Sequence, residues 1–488
     1  MRIGALLCLL LGGAKAELPN ILLIVSEDNG PELGCYRDPY VKTPVLDQLA
    51  KEGTRFANAF TPYSVCSPSR ACFLTGLDPG INGQLGLATH KYAMYQKWPN
   101  VFSLLKEGGY RTGLIGKLHV NPEQAFGPHI DFRAIRGANF GRKDLKDYAE
   151  KSAEFFEEGE TPFFLSINYP DAHFPLTPQV GEYPKDEDLL KGDEVKPLPW
   201  VGCDSERLRT ATANYYNCMS RLDSLVGDLL KRLEKSGKRE NTFIIYIGDH
   251  GAQFSRGKTS VYDAGLRIPM ILHWPGKVNT GVRNEMASVV DLLPTICEAA
   301  KVKPPELQSG RSLWPLLEGQ NVAEWRKEML AVTSGAAPAI ACLQFALRTE
   351  EYKLIHTPQG QGGNRSALAY LNQYNAHYIA GSKMEEISQS SEKVQKSYEI
   401  YAKPPEYELY DLKKDPFEFV NLADDPKLEN VLKLMKQRLV DYLKKTKDPF
   451  AKEENVQGWI EQEAEARGVS YRKRQDWVWS YLKRHRER

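Results

Sequence analysis

The chain lacks several features that would restrict it to a special class of protein. Its 488 residues carry a formal net charge of +1, so no excess of one sign points to nucleic acid or to an acidic membrane surface. No apolar stretch reaches the roughly 18 residues that span a membrane. The eight cysteines form no CxxC pair and no zinc-ligand spacing, so one or two disulfides could form but a disulfide framework is not indicated. An anionic substrate would have to be attracted by a local pocket.

Residues 1–16 look like a secretory signal peptide. Arg2 provides the positive start, an apolar stretch follows, and Ala14-Lys15-Ala16 is a small-residue cleavage site. The alternative interpretation is a buried first strand or helix. We therefore expect a secreted or periplasmic protein, or a lysosomal one if the source is animal. One glycosylation sequon begins at Asn364, which argues against a heavily glycosylated lysosomal enzyme and favours a bacterial exported one.

Short apolar runs alternate with helical patterns through most of the chain. Predicted strands lie at Asn20–Ser26, Thr112–Ile115, Phe163–Asn168, Phe243–Gly248 and Pro269–His273. Because they lack in-out alternation, they predict a mostly parallel sheet covered on both faces, within an α/β sandwich. Helices are predicted at Thr43–Glu52, Val101–Glu107 and about Ser205–Ser236. In such sheets, chemistry collects beyond the carboxyl ends of the strands.

The sequence pattern changes near position 335. A hairpin is predicted at Ala341–Thr357, a strand at Tyr407–Asp411 and an amphipathic helix at Pro426–Lys445. We therefore expect a large α/β domain over residues 17–335 and a smaller α+β domain over 336–450. A charged, at best helical tail would follow over residues 451–488.

The string Cys66-Ser67-Pro68-Ser69-Arg70-Ala71-Cys72-Phe73-Leu74-Thr75-Gly76 is the most specific segment of the chain. Any one of its residues could be a buried residue beside a helix start. The full string resembles the signature C-x-P-S-R-x-x-x-L-T-G of the type I sulfatases, of the alkaline phosphatase superfamily, at every fixed position. The resemblance covers positions 20 to about 450 and implies a sulfatase acting on a sulfated carbohydrate.

That resemblance implies a specific nucleophile. The first cysteine of the signature, Cys66 here, is converted to formylglycine (3-oxoalanine) by a formylglycine-generating or anaerobic sulfatase-maturating enzyme. One hydroxyl of the hydrated aldehyde attacks sulfur, and the second expels the bound sulfate. Arg70 would hold a formylglycine oxygen near the metal ion that the resemblance also implies.

Two pairs of polar residues follow two predicted strands and can converge on one cation. Glu27 and Asp28 follow the first strand, and Asp249 and His250 follow Phe243–Gly248. Either pair alone would more often be a surface turn. Together with Cys66 they predict a site for one calcium ion, which prefers oxygen ligands; the histidine is a mild departure. Glu27 stands where the family usually has aspartate.

Basic residues should surround the sulfate. Gly116-Lys117-Leu118-His119 resembles the family's G-K-x-H, in which the lysine binds sulfate and the histidine removes a proton. By the same resemblance, His173 would protonate the departing atom and Lys258 would contact the far side of the sulfate. Taken singly, such lysines are usually solvated and such histidines usually structural. Fixed positive groups are often the largest catalytic contribution.

Within the family, the chain is closest to the N-sulfoglucosamine sulfohydrolase (sulfamidase) branch. The resemblance includes Ser309-Gly310-Arg311, Tyr407-Glu408-Leu409-Tyr410-Asp411 and Lys447-Asp448-Pro449-Phe450. However, Lys258 stands where the sulfamidases carry arginine, and 264–269 resembles the O-sulfatase pattern. The choice between N-sulfate and O-sulfate is left open.

Two other functions are compatible with the same scaffold. A phosphatase or phosphodiesterase would usually have Ser or Thr as nucleophile and bind two zinc ions, which Cys66 and the single metal set disfavour. A non-catalytic glycan-binding relative should have lost a residue of the predicted site, and none is lost. We expect neither a nucleic-acid partner nor a membrane span.

Overall fold

The computed structural model describes residues 18–136 and 145–470, together with Lys473. The predicted signal peptide and most of the charged tail lie outside the described residues. Within them, no helix combines the length and apolar character needed to cross a bilayer. The seven described cysteines form no disulfide with one another.

A sheet of eight strands forms the centre of the larger part of the molecule. These strands are β1 (Asn20–Ser26), β2 (Thr54–Phe60), β3 (Arg111–Gly116), β4 (Phe132–Ala134), β5 (Phe163–Asn168), β6 (Thr242–Gly248), β7 (Met270–His273) and β8 (Gly281–Ser288). Their order across the sheet is β4-β3-β5-β1-β6-β7-β2-β8. Only β7 runs antiparallel to its neighbours, which confirms the predicted mostly parallel sheet.

A smaller antiparallel sheet follows in the chain. It has the order β12-β11-β10-β9 and consists of β9 (Glu328–Thr333), β10 (Gln344–Thr349), β11 (Tyr352–His356) and β12 (Tyr407–Asp411). The hairpin β10–β11 and strand β12 confirm two predicted elements. The first strand of this sheet begins before position 336, while the domain boundaries themselves remain a prediction.

Fourteen α-helices are present in the described part of the chain. They are α1 (Pro44–Glu52), α2 (Cys66–Thr75), α3 (Pro79–Asn82), α4 (Val101–Glu107), α5 (Asp147–Glu157), α6 (Glu206–Lys235), α7 (Asp263–Leu266), α8 (Leu292–Ala299), α9 (Trp314–Leu317), α10 (Arg365–Leu371), α11 (Met384–Ser388), α12 (Glu392–Ala402), α13 (Glu429–Lys445) and α14 (Glu453–Ala466). Ser205 caps α6, since its hydroxyl accepts a hydrogen bond from Leu208 N. The predicted helix at Pro426 begins as a 3₁₀ turn and becomes α-helical at Glu429.

Successive residues of the central strands enter two different hydrophobic cores. On β1, Leu22 and Ile24 belong to one core, and Ile21, Leu23 and Val25 belong to the other. Because helices cover both faces of the sheet, these strands read as continuous apolar runs. The burial of both faces explains why they were predictable.

Strands β2, β4, β8 and β9 were not identified from the sequence; the first three are short or partly polar, whereas β9 is buried over residues 329–333. Strand β8 is the edge of the large sheet, and its residues 281–285 are exposed or half-buried. An edge strand buries little surface, so its sequence (GVRNEMAS) carries no strong apolar signal. Strand β2 mixes buried and half-buried residues, and β4 has only three residues.

The last described helix packs onto a loop of the larger part of the molecule. Trp459 of α14 is fully buried, and its ring lies 6.3 Å from that of Tyr92. Tyr92 also donates a hydrogen bond to Glu463 Oε1 at 2.8 Å. The first part of the charged tail, residues 453–466, is therefore a helix that packs against the rest of the fold.

The side chain of the sequon residue Asn364 is occupied in the fold. It is 2% exposed, and its Oδ1 accepts a hydrogen bond from Ala367 N at the start of α10. Its role in the folded protein is that of a helix cap.

Candidate active site

The carboxyl ends of β1, β5 and β6 lie side by side, and their following residues are fixed by backbone hydrogen bonds. Asp249 N donates to Ser26 O at 2.9 Å, which continues the pairing of β6 with β1. Glu27 N donates to Asp171 O at 2.8 Å, which ties β1 to the loop after β5. Parallel register thus brings the residues that follow each strand to one edge of the sheet.

The five predicted metal ligands lie together at this edge. Ligand atoms of Asp28, Cys66 and His250 lie within 4.8 Å of one another, as do those of Glu27, Cys66 and Asp249. All five residues are buried. Cys66 belongs to both sets, so its sulfur lies where the two strand-end pairs meet.

His250 is oriented by its backbone neighbour. Its Nδ1 donates to Gly251 O at 2.9 Å, so its Nε2 faces Asp28 Oδ1 at 3.2 Å and Cys66 Sγ at 3.4 Å. Burial opposes protonation of the ring, but Asp249 and Asp28 outweigh burial and raise the pKa of His250 to about 9. A bound cation would compete with that proton for Nε2.

Helix α2 begins at Cys66 and directs Arg70 into the same cluster. Arg70 Nη2 lies 3.2 Å from both Glu27 Oε1 and Asp249 Oδ2. Its Nη1 donates to Asn168 Oδ1 at 2.6 Å. The amino terminus of α2 adds partial positive charge beside Cys66.

The two predicted lysines also contact the carboxylates. Lys117, directly after β3, forms a salt bridge with Glu27, and Lys258 Nζ lies 2.9 and 2.8 Å from the two oxygens of Asp28. Both lysines are almost fully buried. Three basic groups and three carboxylates therefore share one buried volume.

The carboxylates respond differently to this arrangement. Burial raises the pKa of Glu27 despite the opposing charges of Lys117 and Arg70. Burial would also raise the pKa of Asp28, but Lys258 and neighbouring histidines lower it well below its usual range. Glu27 Oε2 is buried without a hydrogen-bond partner. The set thus has an unsatisfied anionic oxygen and a majority of hard oxygen donors, which fit a calcium ion.

The two predicted acid–base histidines face the same positive groups. Burial and the charge of Lys117 hold the pKa of His119 well below its usual range. His119 Nε2 lies 3.4 Å from Thr89 Oγ1, and its Nδ1 has no hydrogen-bond partner. His173 Nδ1 donates to Phe174 O at 2.8 Å, and burial lowers the pKa of His173 although Asp28 raises it.

Three residues in the site loops have left-handed backbone conformations. The φ angles are +52° for Asp28, +57° for His119 and +70° for Thr259. A residue with a Cβ atom adopts such angles at an energetic cost, and these angles cluster at functional sites. Asp28 and His119 are predicted site residues, and Thr259 directly follows Lys258.

Several residues that shape this site were not identified from the sequence. Asn168 is the last residue of β5, and the rule of inspecting strand ends could have found it. Asp171 forms a fully buried double hydrogen bond with Arg221 of α6. The ring of His377 lies edge-on to that of His173, with centroids 5.8 Å apart. No sequence pattern marks His377.

The chain matches two family models. The model described as Sulfatase matches residues 19–302, and the model described as N-sulphoglucosamine sulphohydrolase, C-terminal, matches residues 248–362.

Curated relatives are similar over nearly the whole chain. The N-sulphoglucosamine sulphohydrolase of Homo sapiens is 28% identical, with coverage of 91% of this chain and 93% of the human protein. An ulvan-active sulfatase of Formosa agariphila is 27% identical, with coverage of 88% and 81%.

Solved structures share the fold. A protein in complex with its substrate D-glucosamine-2-N,6-O-disulfate superimposes with a TM-score of 0.64 at 20% identity, over 89% of this chain and 99% of the other. The phosphonate monoester hydrolase of Agrobacterium radiobacter gives a TM-score of 0.67 at 19% identity, over 88% and 96%. At these identities the likeness concerns the fold alone.

Proposed function

The chain belongs to the sulfatase family, whose model matches more than half of it, and on that premise we propose that it releases sulfate from a sulfated carbohydrate by means of a formylglycine made from Cys66 and one calcium ion. The observation that carries this proposal is the position of Cys66 Sγ. It lies at the meeting point of two carboxylate-containing pairs, at the start of a helix, in a cluster of three basic groups.

Formylglycine would supply, as its hydrate, the oxygen nucleophile that attacks sulfur. Arg70, Lys117 and Lys258 would hold the anionic oxygens of the sulfate group, whose charge changes during transfer. Because the three side chains are buried and fixed by their contacts, they need little rearrangement to stabilise that charge. The low dielectric of the buried site strengthens each interaction.

The two histidines would exchange protons. Burial keeps His119 neutral, so it can accept a proton at Nδ1, the ring nitrogen without a hydrogen-bond partner. His173 is fixed through its Nδ1, so its Nε2 would serve the departing atom of the substrate. Bound sulfate would favour the protonated form of His173, which the free site disfavours.

The calcium ion would be held by Glu27, Asp28, Asp249 and His250 beside the modified Cys66. It would offset the three clustered carboxylates and polarise a sulfate oxygen. Glu27 is longer than the usual aspartate, and the orphaned Glu27 Oε2 supports its inclusion in the ligand set.

A sulfated sugar is the substrate class that the relatives favour. The human relative is named for N-sulphoglucosamine and the Formosa agariphila relative for ulvan, so both are named for a sulfated carbohydrate. N-sulfoglucosamine in a heparan-type chain is the second candidate, supported by the match of residues 248–362. Lys258, in place of the arginine of the sulfamidases, supports an O-sulfated sugar. A phosphate ester is disfavoured by Cys66, since phosphatases on this scaffold usually have Ser or Thr at the nucleophile position.

The proposed nucleophile requires a maturation step in the cell. We propose export of the chain with the aid of residues 1–16 and oxidation of Cys66 by a formylglycine-generating or anaerobic sulfatase-maturating enzyme. Co-expression with such an enzyme should raise the fraction of modified Cys66 and the specific activity in parallel.

The decisive experiment measures inorganic sulfate released from a panel of O-sulfated and N-sulfated mono- and oligosaccharides, with a phosphonate ester included. In the same preparation, mass spectrometry of the peptide containing residue 66 should show conversion of the thiol to an aldehyde. The Cys66→Ala variant should release no sulfate and remain folded, whereas Cys72→Ala, at another buried cysteine of α2, should remain active.

Three outcomes would refute the proposal. They are sulfate release by Cys66→Ala at the wild-type rate, unmodified Cys66 in fully active enzyme, and faster turnover of the phosphonate ester than of every sulfated sugar. The first two concern the nucleophile and the third concerns the substrate class.

A further inference from the structure

A short turn from the smaller part of the molecule reaches the proposed active site. Residues Ala376–Tyr378 form a 3₁₀ turn after α10. The half-buried ring of His377 lies edge-on to that of His173, with centroids 5.8 Å apart and planes at 75°. His377 is therefore next to the group that we propose to act on the departing atom of the substrate.

This turn is fixed to the segment that carries Lys258. Gln253 Nε2 donates to His377 O at 2.7 Å, and Tyr370 OH donates to Lys258 O at 3.2 Å. The rings of Tyr370 and Tyr378 pack edge-to-face at 4.9 Å. The turn is also closed internally, since His377 N donates to Asn375 Oδ1. His377 is thus held in place by contacts on both sides.

The environment of His377 favours an uncharged imidazole. Partial burial and the nearby charge of Lys258 lower the pKa of His377, and Asp28 opposes them only in part. A neutral imidazole offers one hydrogen-bond donor and one acceptor. That pair matches a hydroxyl or amide group better than it matches a sulfate, for which the site already has Arg70, Lys117 and Lys258.

We propose that His377 is a specificity-determining residue that hydrogen-bonds an uncharged polar group, a hydroxyl or amide, on the sugar ring that carries the sulfate. This inference rests on the proposed function and extends it from the sulfate to the leaving sugar. It places part of the sugar recognition on a turn of the smaller part of the molecule, opposite the strand-end residues.

The test compares two substrates that share sulfate and differ in the leaving group. One is the best sulfated sugar of the panel, and the other is 4-nitrophenyl sulfate, which has no sugar hydroxyl. For His377→Ala, kcat/KM with the sugar should fall about 10- to 100-fold, as expected for loss of a hydrogen bond in a largely desolvated site. With the aryl sulfate it should change by less than about threefold.

Two further variants control for folding and for general loss of a histidine. His377→Gln keeps a donor and an acceptor and should recover part of the activity on the sugar. His356→Ala removes a histidine whose ring stacks on Tyr407 and Phe345 in the smaller sheet, and it should preserve the ratio of the two activities.

A binding measurement provides a readout independent of turnover. In the Cys66→Ala background, calorimetry with the desulfated sugar should show an affinity about tenfold lower when His377→Ala is added, since each 1.4 kcal/mol of lost interaction is a factor of ten.

Equal losses on both substrates would overturn the inference, because His377 would then act on the sulfate or through His173. Unchanged activity on both substrates would also overturn it. Both of these outcomes leave the wild-type enzyme active and refute this inference alone. If the wild-type enzyme released sulfate from none of the substrates, the proposed function itself would fail, so the two failures are distinguishable.

Discussion

Two buried clusters of opposite charges lie in this protein, and they differ in how completely their members are satisfied. The strand-end cluster consists of Glu27, Asp28, Arg70, Lys117, Asp249 and Lys258. The C-terminal clasp consists of Asp263, Arg348, Lys353 and Glu418, and it joins the smaller sheet to α7. Each contains equal numbers of acidic and basic groups.

In the clasp, the buried ammonium group of Lys353 has three close oxygen partners. Lys353 is fully buried and contacts Asp263 Oδ1 at 2.5 Å, Glu418 Oε1 at 2.7 Å and Val261 O at 3.2 Å. The contact with Val261 O is a hydrogen bond, and the contacts with the two carboxylates are ion pairs. Arg348 contacts both oxygens of Asp263.

The strand-end cluster is less completely paired. Glu27 Oε2 and Arg70 Nε are buried without hydrogen-bond partners, whereas in the clasp this holds for Glu418 Oε1, which still has Lys353 as an ion-pair partner. A buried polar group left unmatched costs stability, so its retention indicates another use. On the proposed function, the clasp holds two parts of the molecule together, whereas the less complete strand-end cluster receives a ligand.

The largest expected effect is on stability and comes from the clasp. Lys353→Met leaves Asp263 with Arg348 alone and removes the cation that pairs with Glu418, so the free energy of unfolding should fall by about 3–5 kcal/mol in chemical denaturation. Below the unfolding transition, kcat should change little. The exposed pair Lys396–Glu392 is a matched control, since Lys396→Met should cost less than 1 kcal/mol. A large loss of kcat with unchanged stability would break the distinction between the clusters.

At the strand-end cluster, the main expected effect is on activity and not on stability. Lys258→Ala should lower kcat/KM for the sulfated sugar by about 10²–10³, because it removes a fixed positive group from the sulfate site. Thermal unfolding with calcium present should change by only a few degrees. Lys258→Arg keeps the charge with another geometry and should retain more activity than Lys258→Ala. Unfolding of Lys258→Ala at ambient temperature would show that this cluster, too, is structural.

Calcium should stabilise the fold through the strand-end cluster. Since binding to the folded state alone adds RT ln(1 + [L]/Kd), saturating calcium should raise the melting temperature of chelator-treated protein by a few degrees. Asp249→Asn should abolish most of that rise, whereas Lys353→Met should lower the baseline and preserve it. The measurement is differential scanning calorimetry after unfolding and refolding in chelator. An equal melting temperature with and without calcium would contradict the proposed site.

The smallest effect concerns a buried carboxylate outside both clusters. Burial raises the pKa of Asp223 to about 7, although hydrogen bonds from Leu46 N and Val45 N lower it. Between about pH 4 and 7 the folded state therefore binds a proton that the unfolded state does not, and stability falls as pH rises. Asp223→Asn cannot ionise, so the drop in melting temperature from pH 5 to pH 8 should be smaller by a few degrees. An identical drop would show that Asp223 does not cause the pH dependence and would assign it to other buried carboxylates, such as Glu32 and Asp448, whose pKa burial also raises to about 7.

The sequence predicted the sulfatase family and the mostly parallel sheet, and the family match and the fold confirm both. The predicted resemblance to the sulfamidase branch agrees with the match of residues 248–362. Glu27, Lys117 and Asp249 could be identified from the sequence because each directly follows a strand that reads as an apolar run. Arg70 and Lys258 were identified from motifs instead. Their catalytic roles stay a prediction.

Other features depend on contacts between distant parts of the chain. His377 lies in a turn without periodicity, and its position depends on Gln253 and Tyr370. The clasp joins Asp263 to Lys353 and Glu418 across a long stretch of sequence, and none of its members belongs to a short motif. Edge strand β8 buries too little surface to leave an apolar pattern.

The burial of Cys66 sets an order of events for the oxidation that we propose. A thiol with 1% of its surface exposed at the start of a packed helix cannot enter the active site of a second protein. On that proposal, the yield of competent enzyme would depend on two rates, one for oxidation of the unfolded chain and one for the packing of α2 against the sheet. Conditions that delay that packing, such as slower synthesis or lower temperature, should produce more turnover per molecule from the same polypeptide.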